Sequence, residues 1–335
     1  MLTRLSTVFR AQPFLVIPVF LVLYGYGTID VADFYHLSAN PLQLHSEVSR
    51  QFLQSSPLPY FLGYPFTQTL GERWSFAIVT LAGLVLFAFS LRRMAAIRYG
   101  ARQHDAVLMV FASPLLIVLT QYLGKGDAYL AGGLLLLIGS RQPLVQLAAA
   151  AMMVVSHFEM GLIAVALSIF LRLVKPGAAV IGASIGASAV LAYHHVLLPS
   201  PPQTRADLGV SYLTDALRIA MATPVLHLVW TFGPFWWCVS RAWPVDWKWW
   251  SAFLVVLTLA TLTLDFTRVF VLVGLPLIVA TIDRVMAKLG DEEPSWLTLL
   301  PFLAFVQAHL LSSFAYDSRI PELIARLSGS APPRH

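Results

Sequence analysis

The chain has 335 residues, 58% of them hydrophobic and 12% charged, with a formal net charge of +5 and a mean hydropathy of +0.73. A soluble domain carries about 25% charged residues, so composition excludes an ordinary soluble fold and points to a polytopic membrane protein. Backbone groups in lipid are satisfied only in helices or closed barrels. The apolar runs here are continuous rather than alternating, so an all-α architecture is predicted. Cys238 is the one cysteine, which rules out an internal disulfide and leaves it a packing role. The net charge calls for no nucleic acid, because arginines beside anionic lipid account for it.

Taken in order, apolar runs predict about eleven transmembrane helices: 12–28, 74–91, 105–122, 127–140, 142–156, 158–173, 177–197, 225–241, 248–265, 268–285 and 295–313. Several fall short of the ~20 residues a span needs, and 127–140 with 142–156 fit either short tilted helices or a re-entrant hairpin. Arg4 and Arg10 ahead of the first run read as a signal anchor, with no small-residue cleavage site before Asp30. The helices form one domain, 1–320. Two longer polar loops interrupt it, 29–73 and 198–224, and a flexible tail, 321–335, follows. Leu44, Val48 and Phe52 recur at helical spacing and predict an interfacial helix in the first loop. Pro57, Pro59, Gly63 and Pro65 then break the chain. Leu208, Tyr212 and Leu213 suggest a second interfacial helix.

With the N-terminus inside, 13 of the 22 lysines and arginines fall on cytoplasmic segments, densest over Arg92–Arg102, and 11 of the 17 carboxylates fall outside. The bias obeys the positive-inside rule of an inner (plasma) membrane protein. It also puts four short polar sites on the outer, periplasmic face. Asp30 and Asp33, three apart at the root of the first loop, suit a general base or a metal-binding carboxylate, and equally a helix end. His36 follows them and titrates near neutral pH. Lys125, between Gly124 and Gly126, suits contact with a phosphate, with Asp127 capping the next helix. The same pattern is also that of a plain capped turn. His157 and Glu159 interrupt an apolar run where ionisable groups are costly, which marks a cavity or a partner; two ligands are too few for zinc. Asp265 and Arg268 either pair with each other or present a guanidinium fork to phosphate or sugar oxygens. Arg205, with Asp207, is expected to close over the same cleft from the second loop.

One span, a large outer loop with acidic residues at its root and a surface helix, then many spans on short turns: this architecture resembles the GT-C superfamily of integral membrane glycosyltransferases. The resemblance implies a polyprenyl-phosphate or polyprenyl-diphosphate sugar donor. It also implies a glycan, lipid or protein acceptor, and a first-loop acidic residue, here Asp30 or Asp33, as catalytic base or metal carboxylate, which leaves a divalent cation open. The chain lacks the paired Asp-Glu and the large C-terminal outer domain of that group. A Wzy-like polysaccharide polymerase is a neighbouring resemblance. A permease or lipid flippase, or a structural partner of a synthase, stays open beside the enzyme reading.

Overall fold

The computed structural model describes residues 2–24, 31–44, 51, 53–200, 202, 213–214, 217–218, 221, 224–263, 266–289, 295–298 and 300–303. Every regular element among them is helical. In chain order they are α1 (Leu2–Ala11), α2 (Val16–Tyr24), α3 (Val31–Ala39), α4 (Leu58–Leu70) and α5 (Glu72–Tyr99). Next come α6 (Gln103–Phe111), α7 (Leu115–Gln121), α8 (Asp127–Gly139), α9 (Pro143–Ser156), α10 (Phe158–Phe170) and α11 (Pro176–Ala192). The last are α12 (Pro224–Phe232), α13 (Trp236–Ala242), α14 (Trp247–Thr261), α15 (Phe266–Val273), α16 (Leu275–Lys288) and α17 (Leu300–Leu303).

Eleven full spans are not supported. Among the described residues two stretches are long and apolar enough to cross a membrane, within Glu72–Phe111 and Pro176–Leu197. A third joins them if α15 and α16, bent by 56° at Gly274, count as one broken span. α8, α9 and α10 are apolar but only 13, 14 and 13 residues long. At 1.5 Å per residue each covers about 20 Å, short of the ~30 Å hydrocarbon layer. Hydropathy runs straight through the breaks that prolines impose: Pro114 separates α6 from α7, and Pro276 separates α15 from α16, because proline lacks the helical N–H and crowds the preceding turn.

Two further expectations are corrected. The helix predicted to end at 91 continues through Arg92, Arg93 and Arg98: α5 runs 28 residues, to Tyr99, and ends at Gly100. Pro57, Pro59 and Pro65 do not break the first loop into coil. Pro59 lies in the first turn of α4, where its missing N–H costs nothing, and Pro65 sits inside the helix. α4 is held by its neighbours: a Cβ on Gly63 would lie 2.8 Å from the Phe34 ring, and Ser75 Oγ donates to the Gly63 carbonyl at 2.8 Å. The surface helix predicted around residues 44–52 and the one around 208–213 fall mostly outside the described residues, as does the tail 321–335.

The interior packs backbone against backbone. On α11, a Cβ at Gly182 would stand 2.2 Å from the Leu147 carbonyl and one at Gly186 2.7 Å from that of Ala151, the small-residue contact through which helices associate in lipid. The outer surface is apolar too. Leu81, Val85 and Phe89, one stripe of α5, are 57–62% exposed, and Ile181 and Ile185 of α11 stand out similarly. A helix bundle that is apolar inside and outside is built for a hydrocarbon surround.

Polar residues gather at two levels. α8, α10 and the α15–α16 pair start at one level, near Asp127, His157 and Arg268. They end at the other, near Arg141, Arg172 and Asp283. α9 and α11 run the opposite way. At the second level Arg98 pairs with Asp283, Arg10 with Asp105 (3.2 Å) and Arg284 with Asp246 (2.6 Å).

Candidate functional site

The first level is assembled from three turns far apart in sequence. Asp127 opens α8, His157 links α9 to α10, and Arg268 lies in the first turn of α15. Arg268 donates from Nε to Asp127 Oδ2 and from Nη2 to Oδ1, both at 2.7 Å. His157 Nε2 stands 2.8 Å from the same Oδ1. Side-chain exposure is 1% for Asp127, 1% for Arg268 and 4% for His157, so the fork-on-carboxylate geometry operates with water excluded, where charge-assisted bonds are strongest.

The protons follow from the partners. A carboxylate held by a guanidinium only accepts, so His157 carries its proton on Nε2. Nδ1 then presents its lone pair, and Ser56 Oγ lies 3.5 Å from it. The imidazole is thus oriented by a carboxylate on one side and faces a hydroxyl on the other, an arrangement able to receive a proton at Nδ1 while Asp127 stabilises the cation formed.

Local backbone explains why these turns meet. Gly124 has φ +84°, which glycine alone adopts at no cost, and a Cβ there would sit 2.2 Å from the Phe76 ring. A Cβ on Gly126 would sit 2.1 Å from the Ser156 carbonyl, so the start of α8 rests directly on the end of α9. His157 is extended (φ −154°, ψ 97°), and its carbonyl accepts from the Gly161 N–H at 2.7 Å. Below lies Tyr122, with the Arg268 guanidinium 4.8 Å and the Lys125 ammonium 5.1 Å from its ring centre, within cation–π range. Comparison with protein-family models, with curated proteins and with solved structures finds no match to this chain.

Lys125, Asp127, His157 and Arg268 therefore share one site. Asp127 does not cap α8; Gly126 holds the cap position and the carboxylate turns to Arg268 and His157. Asp265 lies outside the described residues; Arg268 makes bidentate bonds with Asp127, 141 positions away. Glu159 is half-buried in the first turn of α10, where a negative charge favours the helix dipole. Asp33 and His36 sit on α3, half-buried and exposed respectively. Their helix reaches the site indirectly: Phe34 and Tyr35 pack edge-on against Phe76, at 5.4 and 6.3 Å between ring centres, and Phe76 fills the space at Gly124. Asp30 and Arg205 lie outside the described residues.

Ser56 and Tyr122 belong to the site and went unread in the sequence. Tyr122 precedes Lys125 by three residues, and nothing in the sequence distinguishes Ser56 from its neighbour Ser55. The described residues of the cluster do not fit a divalent cation. Among the described residues no group of three His, Cys, Asp or Glu side chains is close enough to hold one, and both oxygens of Asp127 are engaged by Arg268.

Proposed function

We propose that this chain is an integral membrane transferase that moves a sugar from a polyprenyl-phosphate or polyprenyl-diphosphate carrier to an acceptor hydroxyl, in the manner of the GT-C enzymes it resembles. The observation that carries the reading is the buried Asp127–His157–Arg268 cluster, met by Ser56 of the first polar loop. The base is His157 rather than Asp33, because His157 is both oriented and turned toward a hydroxyl. The acceptor oxygen bonds to the anomeric carbon as its proton passes to His157 Nδ1. The bond from that carbon to the phosphate oxygen breaks, and the electron pair leaves on the phosphate. Lys125, half-buried at the edge of the cluster, is the cation for that charge. Arg268 fixes the carboxylate that steadies the imidazolium. Positive-inside counting puts the arginine-rich level in the cytoplasm and this site on the outer side of a plasma membrane, with the N-terminus inside.

The test is transfer from polyprenyl-phosphate-linked radiolabelled sugars by the purified chain in lipid nanodiscs, offered membrane-derived acceptors. His157→Ala should abolish label in the acceptor while the protein remains folded, and Asp33→Asn should retain it. Normal transfer by His157→Ala would sink the assignment.

One observation favours a second reading, a permease or lipid flippase. Arg268 lies in the first half of a helix broken by 56°, and ionisable groups on broken helices are typical of transport paths. Uptake of labelled lipid or solute into proteoliposomes with no new covalent product would select it.

A further inference from the structure

The second polar level holds two adjoining cavities of roughly 490 and 880 Å³ that share Arg98, Leu173 and Asp283 as a common wall. Their charges do not balance. Asp283 is matched by Arg98 and by the Tyr99 hydroxyl, which donates to it at 2.8 Å, and Asp246 is matched by Arg284. Arg141 and Lys175 on the larger cavity, and Arg172 and Lys248 on the smaller, make no ion pair among the described residues. Four cations thus face one trough.

Three further features sharpen its chemistry. The first turns of α9 and α11 line the larger cavity at Pro143, Gly177 and Ala178, and neither helix start has a side-chain cap, so their N–H ends add positive potential. Arg172 has φ +60°, the one such non-glycine among the described residues. It follows α10 at a helix end where glycine is the ordinary occupant. An arginine there carries a conformational cost that glycine would not, and its guanidinium lines the smaller cavity. Exposed apolar side chains accompany it: Ile97 lines the larger cavity, Leu144 follows the lining Pro143 and is 80% exposed, and Ile181 stands out further along α11, while Trp247 and Phe170 flank Lys248, the aromatic-and-cation mixture of a membrane interface.

We infer that this trough binds the phosphate groups of anionic phospholipid headgroups, with the acyl chains lying along the exposed apolar stripe beside Leu144 and Ile181. The ligand is a phosphate diester anchored by Arg141, Arg172 and Lys175, and it is separated from the Asp127–His157–Arg268 site by the length of α8. The inference does not depend on the transferase reading.

The experiment is native mass spectrometry of the full chain released from mixed micelles of phosphatidylglycerol and phosphatidylcholine, repeated for Arg172→Gly, Arg141→Gln and Lys175→Gln. The wild-type chain should retain phosphatidylglycerol preferentially, and each variant should lose about fivefold of that preference, as expected for one charge at a lipid surface. Arg172→Gly should also keep or raise the thermal midpoint, because glycine relieves the backbone, so its loss of lipid is not a loss of fold. Equal retention of the two lipids by the wild type overturns the inference. So does stabilisation of the lipid-free chain by inorganic pyrophosphate with none by phosphatidylglycerol, which would assign the trough to a soluble phosphate.

Discussion

Asp127→Asn tests the central pair most directly. The carboxylate accepts two bonds from Arg268 and one from His157, and both charged side chains are about 1% exposed. Asparagine keeps the shape but turns an N–H₂ toward donors, and it takes from the buried guanidinium the carboxylate that holds it at two points. Removing one partner of a buried pair costs about 3–5 kcal/mol, whereas replacing both with apolar side chains is close to neutral or stabilising. Asp127→Asn and Arg268→Met should therefore each lose about 3 kcal/mol or more. Asp127→Leu combined with Arg268→Met should cost less than the two single variants together, about the 1–3 kcal/mol of the His157 N–H that loses its acceptor. Denaturant titration in mixed micelles, read by the fluorescence of the nine tryptophans, gives all the values and the coupling energy. Single variants within about 1 kcal/mol of wild type, or costs that simply add in the double variant, would mean that the pair is solvated and the reasoning wrong.

Gly126→Ala places a methyl 2.1 Å from the Ser156 carbonyl, a backbone obstacle that cannot rotate away. It should cost more than the ~1–3 kcal/mol of ordinary overpacking, while Gly177→Ala, with nothing within 4 Å, should be neutral or stabilising in the same melts. Gly182→Val should separate α11 from α9 at Leu147 and lower the folded yield, measured by size-exclusion chromatography. Asp246 accepts from the Trp249 N–H at 2.9 Å and pairs with Arg284. Its slight burial pulls its pKa upward, but the Trp249 N–H and the Arg284 charge outweigh that and hold it below the ordinary carboxylate value. A lowered folded pKa gives stability that is present above the unfolded value near 3.9 and lost as pH falls through the folded one. Asp246→Asn keeps the cap and removes the charge, so its midpoint should lie below wild type at pH 7 and converge with it below about pH 4.

The chemistry of the first level was legible because charge is conspicuous in so apolar a chain. His157 interrupts a hydrophobic run, and Lys125 and Asp127 sit among glycines that mark a turn. Partner choice was not legible. Nothing local says that the Arg268 guanidinium reaches Asp127; that pairing comes from α15 packing across α8 and α10. Ser56 was invisible for a related reason, since a serine in a loop acquires meaning only from the nitrogen that faces it. Helix lengths failed on the opposite count. A hydropathy window averages over Pro114 and Pro276 and reports one run where the backbone makes two, and it stops at Arg92 and Arg93, where charge ends the apolar run but gives the helix no reason to end.

The shortness of α8, α9 and α10 carries a structural consequence of its own. Each covers about 20 Å, and each joins the Asp127 level to the arginine-rich level. In a membrane of ordinary thickness, about 30 Å of hydrocarbon, the two levels cannot both stand at the headgroups without thinning or tilt. The arginine level has the interfacial signature, with Trp243, Trp247, Lys248 and Arg284 at the surface. Without local thinning of the bilayer the Asp127 level would lie several ångströms inside the hydrocarbon boundary, where an ion pair must be internally neutral to persist. The bidentate lock of Arg268 on Asp127 meets that condition with His157 neutral. Depth-dependent quenching of a bromolipid series against a tryptophan placed at Tyr122 should put that position deeper than Trp247. Equal depths would return the cluster to the interface and remove the reason for its neutrality.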